Sequence, residues 1–322
     1  MEAKLQHYVP RFLLTNFSTG KKSQIWVYDK HKSVRFRTNV KNVAAEKGFY
    51  DLETGKGLIS FESGLSSLES KAAKIIERLI RAKYLGELKD DDRSLLSAFF
   101  SIQFVRTKEY RIRYDNLAEG LAQSLKEFGM SEEEIYNNCG RPADSKLFHL
   151  KSVVDADELV PFFLGKTWIL HETKRSTPLC ISDNPMTLHN EKDFGWYGNI
   201  GLAVHGIEIY MPLSSTLGLG MICPTYGEEY RRGYDNFRLM DQALPGWSDI
   251  KLKDAKGARA FCEGVVKGTP IPLKPDNVMM LNSLQVMYSS RFVFSETDDF
   301  SLVERMIRDN EKYRRGLGIT IG

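Results

Sequence analysis

The chain has 322 residues, of which 42% are hydrophobic and 27% charged. That is an ordinary globular balance with enough apolar material for one large core or two modest ones. Its 45 basic and 42 acidic residues leave a formal charge of only +3, so any nucleic-acid contact must rest on a local patch rather than on bulk charge. The opening Met1–Leu5 lacks the apolar run of a signal peptide, and no stretch reaches the ~18 apolar residues of a membrane span. Cys139, Cys180, Cys223 and Cys262 stand about forty residues apart with no CxxC pair, against a zinc ribbon or a disulfide framework. A cytoplasmic protein with reduced thiols and no membrane contact is expected.

Gln24–Tyr28 and Val34–Arg37 read as strands around the turn Asp29–Ser33, a β-hairpin. A short strand is expected within Ala44–Asp51, ending at Phe49-Tyr50, before a loop marked by Gly55 and Gly57. From Glu62 to about Lys83, Leu65, Leu68, Ala72, Ile75, Ile76 and Leu79 recur at helical spacing. A second helix opens at Asp90–Asp92 and is expected to run past Arg106 as far as Lys126. Ser131 with Glu134 forms a capping box for a third. Arg141-Pro142 marks a loop, and a helix over Asp144–Leu164 follows, with a break within Val153–Asp157.

Beyond it the pattern turns to short strands at Thr167–Leu170, Leu179–Ile181, Ile207–Tyr210 and Leu217–Met221. Pro224–Gly268 reads as irregular, with a helix at Ala255–Val266. A helix at Asn277–Ser289, a strand at Arg291–Phe294 and a helix at Phe300–Lys312 close the chain. Segregated strands and helices predict an α+β fold: an N-terminal β-hairpin, a central helical bundle, and a C-terminal mixed or antiparallel sheet with closing helices. One domain over 1–322 is expected. A subdivision, if present, would separate the hairpin and helices (1–165) from the sheet-rich part (166–322).

Four places put polar groups where apolar ones belong. On a wheel of ~100° per residue with Leu65 at zero, Glu69 falls near ~40°, inside the apolar stripe. On the next helix, with Leu95 at zero, Phe99, Ile102 and Leu117 centre the face near ~20°, Arg106 lies near ~20° and Gln103 near ~80°. Gln103 and Arg106, three apart, can reach one point. If the two helices pack face to face, Glu69 meets Arg106. This is equally the signature of a structural ion pair and of a functional site. Ile181-Ser182-Asp183-Asn184-Pro185 runs a strand into a turn, where Asp183 either caps the turn or serves as a functional carboxylate. His7, set among Tyr8, Val9, Pro10, Phe12 and Leu13, is either a packed structural histidine or an acid–base group. The basic run Arg106, Lys108, Arg111, Arg113 with Tyr110 and Tyr114 suits phosphates or an ordinary helix end. No GxSxG, HExxH or dinucleotide fingerprint is present.

His7-Tyr8-Val9-Pro10-Arg11-Phe12-Leu13-Leu14 resembles the opening signature of the uncharacterised bacterial domain-of-unknown-function 4238 family. Phe49-Tyr50, Glu62–Glu69, Gln103–Thr107, Ser182–Pro185 and Met211–Ser214 follow in matching order. The resemblance implies one full-length domain and an anti-phage defence setting, in which effectors are often nucleases; it supplies no catalytic residues. Joined to the polar positions, it leads to the expectation of a metal-dependent nuclease. In that reading Glu69 and Asp183 hold Mg²⁺ or Mn²⁺, His7 is general base or third ligand, and Gln103, Arg106 and Asn184 bind substrate. The alternative is a module that binds or senses a phage protein or nucleic acid without turnover, with Glu69–Arg106 as architecture.

Overall fold

A computed structural model describes residues 5–20, 22–54, 57–139, 145–192, 200–243 and 254–316. The Arg141-Pro142 loop, the Asp144 helix start and Gly55 lie outside the described residues. The fold is α+β. Two short strands, β1 (Leu5–His7) and β4 (Ala45–Lys47), pair antiparallel, with the helical turn α1 (Arg11–Thr15) after β1. Between them lies the expected hairpin of β2 (Gln24–Asp29) and β3 (Val34–Asn39). The chain reverses at Gly48 (φ 62°), so Phe49 and Tyr50 stand in a turn rather than at the end of a strand. Beyond that turn β5 (Asp51–Thr54) pairs antiparallel with β6 (Gly57–Ser60).

The long helix α2 (Glu62–Ala82) then packs against α3 (Asp90–Val105). The single helix expected from Asp90 to Lys126 is two. Arg106 ends α3, and Thr107 Oγ1 accepts from Tyr110 N as the N-cap of α4 (Lys108–Glu127). That N-cap bond satisfies an amide which would otherwise lack an intrahelical partner, and it turns the chain at this point. α5 (Glu132–Cys139), α6 (Ser145–Val154) and α7 (Val160–Leu164) complete the helical part, a 3₁₀ turn at Asp155–Leu159 forming the expected break.

Strands β7 (Thr167–Glu172), β8 (Ile181–Ser182), β9 (Thr187–His189), β10 (Glu208–Pro212) and β11 (Leu217–Ile222) follow. The segment after Pro224, expected to be irregular, holds the 20-residue helix α8 (Pro224–Ala243). Its glycines serve close packing rather than a break in the helix. A Cβ on Gly227 would fall 2.2 Å from Thr167 Oγ1, and one on Gly233 would fall 3.1 Å from Cys262 Sγ. Helix α9 (Ala255–Lys267), strand β12 (Ile271–Pro272), helix α10 (Pro275–Tyr288), strand β13 (Phe292–Ser295) and helix α11 (Ser301–Asp309) end the chain, with a 3₁₀ turn over Glu311–Arg315.

A five-stranded sheet runs β12-β7-β11-β10-β9, and a four-stranded one runs β3-β2-β13-β8. The second sheet joins the N-terminal hairpin to the C-terminal β13, Val27 facing Phe294 and Tyr28 facing Val293. One apolar core extends from Tyr8 through Ile76, Phe100, Leu170 and Leu219 to Phe294. The N-terminal segment and the ends of α2 and α3 border this core, and that brings the polar residues together.

Candidate functional site

β1 positions His7. Tyr50 Oη donates to the His7 carbonyl at 3.2 Å, and the Tyr50 amide donates to Gln6 Oε1 at 2.6 Å. Gln6 Nε2 in turn donates to Asp51 Oδ1 at 2.7 Å. These bonds, with the burial of Tyr8, Val9, Leu13 and Leu14, hold the N-terminus in place, as its apolar density required.

Glu69 on α2 and Arg106 at the end of α3 meet: Arg106 Nη1 donates to Glu69 Oε1 at 2.6 Å. Arg106 Nε donates to Gln103 Oε1 at 2.9 Å, and Gln103 Nε2 donates to the Tyr8 carbonyl at 3.1 Å. The chain Glu69–Arg106–Gln103–Tyr8 thus ties both helices to the segment carrying His7. Its burial is uneven. The Arg106 side chain is 1% exposed and that of Glu69 26%, so the carboxylate stands at an opening and the guanidinium at the back.

Arg106 Nη2 and His7 Nε2 are both buried without a hydrogen-bond partner among the described residues. A buried polar atom left unpaired costs about 1–3 kcal/mol and is uncommon in folded proteins. Ten such atoms occur among the described residues, and these two are the ones that flank the partly exposed Glu69 carboxylate. Burial and the nearby Arg11 pull His7 below the usual histidine value, against Glu69 and the carbonyls of Lys41 and Val40. Its imidazole is therefore neutral at pH 7 and able to take a proton. Glu62, two helical turns before Glu69, is pushed up by burial and by the Glu69 charge, with Arg106 opposing. The cluster thus holds two carboxyl groups of α2 on one face, that of Glu62 shifted upward by its burial.

Asp183 has a different set of partners. It follows β8 and is wholly buried. Oδ1 accepts from Ser290 N, and Oδ2 accepts from Ser290 Oγ, Arg291 N and Phe292 N, each at 2.8 Å. The carboxylate closes the turn between α10 and β13 and has little room for another ligand. Asn184 Nδ2 donates to the Tyr288 carbonyl at 3.0 Å, and the Asn184 amide donates to Ser182 Oγ at 3.3 Å. Of the six residues singled out from sequence, His7, Glu69, Gln103 and Arg106 come together, whereas Asp183 and Asn184 bond around the C-terminal end of α10. Among the described residues no group of three or more His, Cys, Asp or Glu is placed to hold a metal ion.

The basic run is bonded internally to carboxyl groups. Lys108 and Arg111 pair with Glu46, Arg113 with Glu109, and Arg106 with Glu69. Glu109 belongs to a second buried set with Lys30 and Asp183. It is 1% exposed, accepts from Arg113 Nε at 3.0 Å through Oε1, and has no partner for Oε2 among the described residues. A Cβ on Gly316 would lie 3.2 Å from both its oxygens, so the C-terminal segment covers it. Burial raises its carboxyl from 4.5 to about 7. The folded protein therefore keeps the Glu109 proton from pH 4.5 to 7, where the unfolded chain loses it. Stability falls across that window, by on the order of 3 kcal/mol. Glu109→Gln is expected to flatten the fall in urea melts between pH 4.5 and 7.5; an unchanged slope would show that Glu109 is ionised throughout.

Sequence reasoning missed Glu62 and Tyr50. Glu62 could have been found, since a spacing of two turns places it on the face of Glu69. Tyr50 carried no such signal, because its contact with His7 depends on the turn at Gly48. No helix among the described residues is long and apolar enough to cross a membrane. No curated protein and no solved structure matches the chain. The family model described as "Protein of unknown function" matches residues 5–299, a span that includes every residue of the cluster, and the chain belongs to that family, DUF4238.

Proposed function

We propose that the protein hydrolyses phosphodiesters of nucleic acid at the His7–Glu69–Arg106 cluster, as an effector in anti-phage defence. The observation that carries this reading is the pair of buried, unpartnered nitrogens, Arg106 Nη2 and His7 Nε2, beside a half-open carboxylate. Arg106 Nη2 donates to a non-bridging phosphate oxygen, a charge-assisted bond in a dry setting. His7 Nε2 takes a proton from water as the water oxygen bonds to phosphorus. The bond from phosphorus to the leaving oxygen breaks, and that oxygen takes a proton from solvent water. Mg²⁺ or Mn²⁺ would be held by the second oxygen of Glu69, with phosphate and water completing the shell, as Mg²⁺ accepts with one or two carboxylates. Such an ion stabilises charge on the transferring group.

The experiment is incubation of the purified chain with single-stranded and duplex DNA and with RNA, in Mg²⁺, Mn²⁺ or EDTA. Shortened products that depend on the metal are expected. Intact substrates in every condition would end this reading.

One observation favours a second reading, a binding or sensing module for a phage protein or nucleic acid. Arg106 is almost fully buried, and its two bonds to Glu69 and Gln103, with the bond from Gln103 to the Tyr8 carbonyl, tie two helices to the N-terminal segment. That is what a strut does, and a strut predicts stability losses without turnover.

A further inference from the structure

The outer strand of the four-stranded sheet is β3, flanked by β2 on one side and by no described strand on the other. The register shows which of its peptide groups are free. Gln24 exchanges both backbone bonds with Thr19, and Lys30 N donates to the Arg291 carbonyl, so even-numbered residues of β2 bond away from β3. Val40 N donates to the Ser23 carbonyl, extending the odd-numbered set that bonds toward it. With Ile25 opposite Thr38, Val27 opposite Phe36 and Asp29 opposite Val34, those residues of β3 face β2. Arg35 and Arg37 turn their N–H and C=O outward.

Side chains alternate in the same rhythm. Arg35 and Arg37 share the face of Tyr28 and Trp26. Val34 and Phe36 occupy the other, 45% and 40% exposed. Arg37 lies 5.9 Å from the Trp26 ring centre and donates to Thr19 Oγ1, while Arg35 donates to the Asp298 carbonyl. Both acceptors are neutral; the Arg35 charge also acts on the nearby Asp299, which, after the hydrogen bonds from Ser301, it helps hold below the usual carboxylate range, and Lys32 and Lys41 at the strand's ends are exposed. Edge strands are usually guarded by a bulge, a proline, charged side chains or a cover, and of these β3 has the charges, which oppose a basic or like-charged strand but not an acidic one. The six consecutive β2–β3 pairs contain no bulge and no proline.

We propose that β3 takes an extended acidic segment of a partner protein as an added strand. The backbone of Arg35 and Arg37 pairs with it, its apolar side chains cover Val34 and Phe36, and its alternating carboxylates lie beside the two guanidiniums. A second copy of β3, antiparallel about Phe36, would set Arg35 against the copy's Arg37, which like charges oppose. Nucleic acid would use the guanidiniums but neither the backbone edge nor the apolar pair.

The test is fluorescence anisotropy of a short labelled peptide alternating Glu with Val, titrated with the full chain. A peptide of the same composition in block order is the control. Saturable binding of the alternating peptide is expected, weakened about tenfold or more by Arg35→Glu with Arg37→Glu. Arg37→Pro removes one outward N–H as well as the guanidinium and leaves the β2 ladder intact, so against Arg37→Ala, which loses the same side-chain contacts, it is expected to weaken binding further. Equal binding of the two peptides, or equal affinity in Arg37→Pro and Arg37→Ala, would overturn the proposal. So would an oligonucleotide that displaces the peptide and binds Arg37→Pro as well as Arg37→Ala.

Discussion

Asp183→Asn is expected to be the most destabilising conservative substitution in the chain, lowering the free energy of unfolding by on the order of 4 kcal/mol. The side chain keeps its shape, so no cavity opens and the effect isolates hydrogen bonding. Three donors converge on Oδ2, from Ser290 Oγ, Arg291 N and Phe292 N, and a fourth, Ser290 N, reaches Oδ1. An amide nitrogen at either position turns an acceptor into a donor facing donors. Each backbone amide then left unpaired in a wholly buried place costs about 1–3 kcal/mol, against a total stability near 5–15 kcal/mol for most domains. The variant should be largely unfolded or melt many degrees early. Urea denaturation followed by circular dichroism measures it, and a wild-type midpoint would show that the turn between α10 and β13 does not depend on Asp183.

Glu69→Gln is expected to abolish turnover, by about 10²–10⁴-fold as for loss of an acid–base or ligating group, at a stability loss near 1–2 kcal/mol. The two effects separate because the glutamine carbonyl still accepts from Arg106 Nη1 while the negative charge disappears. Glu69 is partly open to water, which screens the pair and tempers its share of stability. Nuclease rates and melting curves on the same preparation report both quantities. A variant that turns over normally would remove Glu69 from the chemistry. One that loses the fold and its activity together would place Glu69 in the architecture.

How much of this was legible in the sequence follows from which contacts are local. Helical periodicity put Glu69, Gln103 and Arg106 on apolar faces, and the 2.6 Å bond between Glu69 and Arg106 is the pairing that helix packing implied. The α+β class and the N-terminal hairpin were readable for the same reason. Four features were not. α8 was hidden because its glycines serve Thr167 and Cys262 on other elements. The division of α3 from α4 depends on Thr107 acting as a cap inside an otherwise helical pattern. The surroundings of Asp183 lie more than a hundred positions along the chain, at Ser290–Phe292, and no local pattern could tell a turn-closing carboxylate from a metal ligand. The pairing of β2 with β13 is likewise long-range.

The central claim is that the cluster acts on a ligand, and His7 tests it most directly, because His7 lies outside the Glu69–Arg106–Gln103 strut. The measurement is the hydrolysis rate of a nucleic-acid substrate by His7→Gln beside its melting temperature. A rate reduced by about 10² or more at a near wild-type melting temperature is the predicted result. Wild-type turnover in His7→Gln would contradict the claim and leave the cluster as a strut between two helices.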